Sequence, residues 1–227
     1  MKQNFLKFLL LLTVLTTVSC LGDDVDIENN RRLLIKGKVT DTQGNALPNI
    51  PVITSALGDA LGQTTTDANG NFRLISLDEQ FDPLDIFINV DNFYNQQVNQ
   101  YYSSRAYFSQ QHVNRVLYDM GSITLGKMAE LKLTLNNNGG DQNTVSYEIL
   151  YTPSACELPL NVYNPPSDCN LSEMKTGSLM PSSENQIISI YSIQGENVVF
   201  NYSLNSGDTQ TIEIPLTNAS NTYVFEY

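Results

Sequence analysis

The sequence predicts an all-β chain, folded as two successive β-sandwich domains behind an export segment. Three observations predict it: short runs of alternating apolar and polar residues recur from residue 33 onward, turn residues punctuate them closely, and no useful length carries a helical period. A chain of 227 residues can hold one large domain or two small ones, and the pattern reads as two, residues 33–126 and 127–227. Hydrophobic residues make up 41% and charged ones only 16%, with Asn, Gln, Ser and Thr crowding the polar positions, a composition closer to exported β-rich proteins than to cytosolic enzymes.

The first residues read as an address. Lys2 and Lys7 precede the apolar run 8–18, which ends at Ser19 and Cys20, giving charged, apolar and small-residue regions in secretory order. The run is shorter than the roughly 20 apolar residues that span a bilayer. Thr17-Val18-Ser19-Cys20 resembles the lipobox of bacterial lipoproteins, with Thr17 where that family usually has Leu. The resemblance implies a signal peptide over residues 1–19 and a diacylated Cys20 as the new N-terminus; an ordinary secretory peptide is the alternative. Residues 20–32 then read as a flexible acidic tether carrying Asp23, Asp24, Asp26 and Glu28. Such a patch behind the cysteine also resembles the surface-export signal of lipoproteins from the Bacteroidetes group, and Leu21 is not the Asp that marks inner-membrane retention. An outward-facing, lipid-anchored place on the outer membrane is what this implies, against the plainer reading of acids that solvate a linker.

Charge narrows the partners. All 24 acidic residues lie beyond Cys20 and only 10 of the 12 basic ones do, leaving a net charge of −14 there. That charge opposes phosphate backbones and anionic lipid surfaces, so nucleic acid is not expected as a partner, and membrane contact is expected only through the anchor.

In the first domain, residues 33–40 form a strand, and Asp41-Thr42-Gln43-Gly44-Asn45 a turn in which Gly44 takes positive φ freely. Residues 50–53 resume extended structure. Residues 63–66 and 72–75 read as a hairpin about Asp67-Ala68-Asn69-Gly70-Asn71, since Asn-Gly is a strong hairpin signal. Residues 84–90 give a further strand, and residues 120–125 close the domain. The order Gly37-x-Val39-x-Asp41, Gly44-x-x-Leu47-Pro48, Val52, Thr66-Asp67-x-x-Gly70-x-Phe72-x-Leu74 resembles the carboxypeptidase regulatory-like, or transthyretin-like, domain family. Asn92-Phe93-Tyr94 stands where that family carries a Gly-Tyr pair, and Gly121-Ser122-Ile123-Thr124-Leu125 matches its terminal Gly-x-Ile-x-Leu. The resemblance implies a small sandwich of about seven strands, without catalytic residues of its own, used for folding, spacing or docking.

In the second domain, Leu131, Leu133 and Leu135 alternate on one strand and residues 145–151 on the next, with a turn between them at 136–143. Strands follow at 187–191, 197–202, 209–214 and 222–227, with hairpin turns at Gly195-Glu196 and Ser206-Gly207-Asp208. About six half-buried strands in about 100 residues suggest an immunoglobulin-like sandwich, too few for an outer-membrane barrel. Cys156 and Cys169, the even pair left outside the cytoplasm, read as a disulfide closing a Pro- and Asn-rich loop. With no His between them they lack the ligands of a structural zinc site.

Catalytic motifs are sparse. The sequence holds no Gly-x-Ser-x-Gly elbow, no His-Glu-x-x-His and no phosphate-cradling loop, and His112 has no motif around it. No cofactor or metal is expected. Asp67-Ala68-Asn69-Gly70 opens like a calcium loop but lacks the distal Glu, so a turn is the better reading. Asp78, Glu79, Asp82 and Asp85 cluster, either as a solvated loop or as paired acids for hydrolysis. Residues 92–108 collect Phe93, Tyr94, Tyr101, Tyr102, Tyr107 and Phe108 among amides, with Arg105 as the one charge. Tyr94, Tyr101, Tyr102, Tyr107 and Arg105 are therefore the candidate ligand surface, suited to sugars or peptides.

Three functions stay open. A structural or protein-docking lipoprotein is the first, a glycan- or peptide-capture accessory of an outer-membrane transporter the second, and a carboxylate hydrolase the remote third.

Overall fold

The alternation becomes strands throughout in a computed structural model, which describes residues 26–90, 99–138, 142–160 and 169–227. The first seven are β1 (Ile27–Thr40), β2 (Pro51–Ala56), β3 (Asp59–Thr65), β4 (Asn71–Glu79), β5 (Asp85–Ile88), β6 (Ser104–Phe108) and β7 (Leu117–Thr124). Then come β8 (Met128–Asn136), β9 (Val145–Tyr151), β10 (Ala155–Pro159), β11 (Glu173–Leu179), β12 (Gln186–Ile193), β13 (Asn197–Leu204), β14 (Gln210–Pro215) and β15 (Ser220–Glu226). Among the described residues the fold is all-β, and four sheets pack as two sandwiches, each around its own buried cluster.

In the first sandwich the sheet β4-β1-β7 covers the sheet β10-β6-β5-β2-β3. Successive residues of a strand point to opposite faces, so Ile35 and Val39 of β1 and Phe72 and Leu74 of β4 turn inward against Val52, Ile86, Ile88 and Tyr107. Each such side chain contributes about 1.5–3 kcal/mol on burial. Two turns of like sequence end strands here. In both Asp41–Asn45 and Asp67–Asn71 the aspartate Oδ1 accepts the amides two and four residues on, at 2.8–2.9 Å, and the glycine has positive φ. The Asp67 carboxylate is thus occupied in closing a turn. A Cβ on Gly70 would lie 2.4 Å from the Val39 carbonyl oxygen, so only glycine fits beneath β1.

Several expectations are corrected. The strands about Asp67–Asn71 do not form a hairpin ladder, because β3 pairs with β2 whereas β4 pairs with β1 in the facing sheet. Gly195-Glu196 likewise links sheets, since β12 pairs with β8 and β13 with β9 and β14. The tether expected over residues 20–32 is strand from Ile27 onward: Ile27 lies opposite Glu79, Asn30 takes positive φ at the irregularity, and Arg31 Nε reaches the buried Asp78 at 2.7 Å.

In the second sandwich the sheet β11-β9-β13-β14 covers β12-β8-β15. The alternation of β8 buries Ala129, Leu131, Leu133 and Leu135. Phe200 sits between the sheets, its ring centroid 5.5 Å from Tyr202 and 5.1 Å from Phe225.

One strand crosses between the two. After β9 the chain runs along the edge of the first sandwich as β10, parallel to β6 with Cys156 opposite Arg105 and Leu158 opposite Tyr107, and then returns as β11 to pair with β9. Residues 33–126 therefore do not complete the first sandwich alone: Cys156, Leu158, Leu160 and Cys169, from the stretch assigned to the second domain, join its core. The physical cause is the apolar alternation Cys156, Leu158, Leu160, which needs a core on one face. Parallel pairing needs a long crossover, and β7, β8 and β9 provide it. Cys156 and Cys169 form the expected disulfide, with Cα atoms 6.3 Å apart. No helix among the described residues is long and apolar enough to cross a membrane.

Candidate functional site

The two sandwiches meet along a seam built from residues 99–104, 126–128, 152–154 and 191–194. Asn89, fully buried with a φ of 62°, organises its first wall. Its Nδ2 donates to the carbonyl oxygens of Asn99 (2.9 Å), Tyr102 (3.0 Å) and Ser103 (3.1 Å), and its Oδ1 accepts from the Asn99 amide (2.8 Å). The loop so fixed continues across the seam: Ser103 N donates to Gly126 O at 2.8 Å, Met128 N to Tyr101 O at 3.0 Å, and Gln194 N to Lys127 O at 2.8 Å. A second line of bonds runs from Ser104 N to Ser154 O (2.8 Å) and from Ser154 N to Tyr191 O (3.3 Å).

These walls enclose a groove of about 590 Å³ whose aromatic lining is Tyr101, Tyr102 and Tyr191, with Met128 beside them and Gln100 and Gln194 supplying amides. Tyr101 is 81% exposed and Tyr191 55%, so their rings face solvent, whereas Tyr102 packs partly on the first core. Lys127 and Glu130 add one charge of each sign. Ring faces with adjacent amide donors and acceptors suit a neutral polar ligand with an apolar side, as a sugar or an extended peptide has.

Of the residues singled out in the sequence, Tyr101 and Tyr102 come together in this groove. Tyr94 and the lipidation residue Cys20 lie outside the described residues. Tyr107 and Arg105 leave the ligand surface, because the alternation of β6 turns both inward. Tyr107 is fully buried in the first core, and desolvation pushes its hydroxyl up to about 12. The Arg105 guanidinium lies along the seam, donating to Ser103 Oγ (3.2 Å) and to the carbonyl oxygens of Ser104 (2.8 Å) and Thr124 (3.4 Å). It serves the wall of the groove and not its opening. Phe108 points the other way, edge-on to Phe87 with centroids 5.8 Å apart, over a separate hollow of about 320 Å³ on the outer face of β5, β6 and β10. Tyr191 was not singled out by sequence: its signal is the outward phase of β12, legible only once the partner wall is known.

The acids expected to cluster are divided among separate partners. Asp78 and Glu79 are buried, which a solvated loop would not allow. Asp78 Oδ2 faces Arg31 Nε at 2.7 Å and its Oδ1 faces His112 Nε2 at 3.8 Å; burial raises its pKa, and Arg31 and His112 work against that rise. Glu79 Oε2 accepts the backbone amides of Phe81 and Asp82. Asp85 opens β5 opposite Phe108, where burial pushes its carboxyl up to about 6 against a hydrogen bond from the Ser109 backbone.

No protein-family model matches the chain, and no curated protein matches it in sequence. Among solved structures, the tip fimbrial protein Mfa3 of Porphyromonas gingivalis, truncated at its C-terminus, aligns with a TM-score of 0.31 and 11% identity over 81% of each chain. A candidate cell adhesion protein of Bacteroides ovatus gives a TM-score of 0.28 and 12% identity over 88% of this chain and 93% of its own. A streptococcal ancillary pilin gives 0.30 and 9% over 88% of this chain and 63% of its own. Likenesses of this size carry no argument about what the chain does.

Proposed function

We propose that the chain is a non-catalytic docking module of the bacterial cell surface, held to the outer membrane by acylation of Cys20 and engaging a protein partner through the tyrosine groove at its seam. The observation that carries this reading is the groove itself: three tyrosines, drawn from a loop of one sandwich and a strand of the other, line it, with Tyr101 and Tyr191 open to solvent on walls fixed by backbone hydrogen bonds. The partners of two of the acids weigh against the paired-acid reading. Asp78 is committed to Arg31 and Glu79 to backbone amides, so neither is placed as a free general acid opposite a second carboxylate.

A second reading, capture of a glycan or peptide for an outer-membrane transporter, is favoured by Gln100 and Gln194 beside the exposed ring of Tyr101. One experiment separates them: the purified chain and its Tyr101→Ala and Tyr191→Ala variants are screened on glycan and peptide arrays, with pull-down from envelope extracts in parallel. Saturable array binding lost in both variants supports capture. Recovery of one envelope protein, lost in the same variants, supports docking. Neither result, with both variants folded, removes the groove from the function. Labelling with a palmitate analogue tests the anchor separately, and an unlabelled chain overturns that part alone.

A further inference from the structure

The net charge of this chain hides a local reversal. The outward face of the sheet β4-β1-β7 carries Arg32, Lys36, Lys38 and Arg73, against Asp119 as its opposing acid. Register brings them together: Lys36 lies opposite Arg73 on one side and Asp119 on the other, and Lys38 opposite Asn71 and Ser122. Lys36 Nζ pairs with Asp119 Oδ2 at 2.9 Å, and no carboxylate lies within ion-pair distance of Arg32, Lys38 or Arg73 among the described residues. Lys36, Lys38 and Arg73 rim a hollow of about 390 Å³ beside Gly121.

Next to this basic rim runs an apolar row. Ile75, Leu34 and Leu117 face one another across the three strands. Ile75 is 54% exposed and Leu117 39%, although they flank Leu34 on one face of a folded sheet. A contiguous exposed patch of this kind marks an interaction surface more often than isolated apolar residues do.

We infer that this sheet face is a second docking surface, whose occupant is a protein segment presenting carboxylates beside apolar side chains. Charge complementarity selects that occupant. A membrane or a nucleic acid presents negative charge without interruption, so the acids bordering the face would be set against it together with the basic rim. A protein segment can confine its carboxylates to the rim and set apolar groups on the row, which a phosphate backbone cannot do. The inference is independent of the tyrosine groove and of the anchor.

Fluorescence titration of the purified chain with a short synthetic peptide alternating Glu with Leu or Val tests it, beside the same peptide with Gln for Glu. Expected are saturable binding of the Glu peptide, about tenfold weaker binding of the Gln peptide, and about tenfold loss with Lys38→Glu/Arg73→Glu or with Ile75→Glu. Raising salt from about 0.05 M to about 0.5 M weakens it as well. Equal affinity for both peptides, or undiminished binding by the variants, overturns the inference. So does tighter binding to phosphatidylglycerol vesicles, which makes the face a lipid contact, or a dimer that Ile75→Glu dissociates, which makes the occupant a second copy. Circular dichroism confirms that each variant folds, and Lys38→Gln gives a milder version if the double reversal does not.

Discussion

Replacing Asn89 tests how the seam is held. The side chain makes four polar contacts within 3.1 Å, but an amide has two N–H groups, so three acceptors share two donors and the contacts amount to about three full hydrogen bonds. At about 1 kcal/mol each, Asn89→Ala loses about 3 kcal/mol, and stranding buried carbonyls of the loop adds to it. A φ of 62° adds about 1 kcal/mol more, since alanine tolerates the left-handed region less well than asparagine. The expected loss is therefore about 4 kcal/mol.

Two further substitutions divide that sum. Asn89→Gly removes the side chain but not the freedom to take positive φ, so it is expected to recover the backbone part, about 1 kcal/mol. Asn89→Asp keeps an acceptor for the Asn99 amide and sets a carboxylate against three carbonyl oxygens, so it costs at least as much as alanine. Urea unfolding followed by far-UV circular dichroism gives the energies, and amide exchange over residues 99–103 reports the loop. An Asn89→Ala variant within about 1 kcal/mol of the parent, or one whose exchange in that loop is unchanged, would refute the assignment of Asn89 as the residue that positions Tyr101 and Tyr102.

Three other outcomes follow from the same geometry. Cys156→Ser/Cys169→Ser opens a loop with a sequence separation of 13, and the chain-entropy model gives a loss of about 3 kcal/mol, read from the shift in denaturant midpoint. Gly70→Ala must place a Cβ against the Val39 carbonyl and costs about 2–4 kcal/mol, whereas Gly44→Ala, with open space and the same sign of φ, costs about 1 kcal/mol; equal losses at the two sites would contradict the packing beneath β1. Asp85, held up to about 6 from 3.8, binds more protons folded than unfolded between those values, so its contribution to stability falls as pH rises through that window. Asp85→Asn is expected to flatten that slope and to stabilise the chain at neutral pH by about 1 kcal/mol, a figure reduced for its partial contact with solvent, as measured by thermal unfolding from acid to neutral pH.

Most of the architecture was legible because alternation is a local signal. Leu131, Leu133 and Leu135 declare β8 without help from any other segment, and Asp67-Ala68-Asn69-Gly70-Asn71 declares its turn through one carboxylate and one glycine. What each strand pairs with is not local, which is why the β3 to β4 connection read as a hairpin although the two strands belong to facing sheets. β6 was hidden in an aromatic segment that invited a surface reading; its period of two, applied from Ala106 outward, would have sent Tyr107 to the core. β10 was hidden inside the disulfide loop, because only the first sandwich supplies a reason for Leu158 and Leu160 to be apolar. The basic face is illegible for a related reason. Net charge is a sum over the chain, and Lys36, Arg73 and Asp119 become neighbours only through register.

The stitched strand also bears on why the proposed ligand site falls at the seam. A loop that carries exposed tyrosines loses conformational entropy when it binds. Here that ordering is present before any ligand arrives: Asn89 fixes residues 99–103 from below, residues 126–128 take up their backbone groups from the side, and β10 draws residues 152–154 against both β6 and β12. Tyr101 and Tyr191 therefore line one groove from walls that belong to different sandwiches, with the disulfide closing the excursion that joins them. Loosening either wall costs hydrogen bonds in both sandwiches, so the groove inherits its definition from the fold and does not depend on the tyrosines that line it.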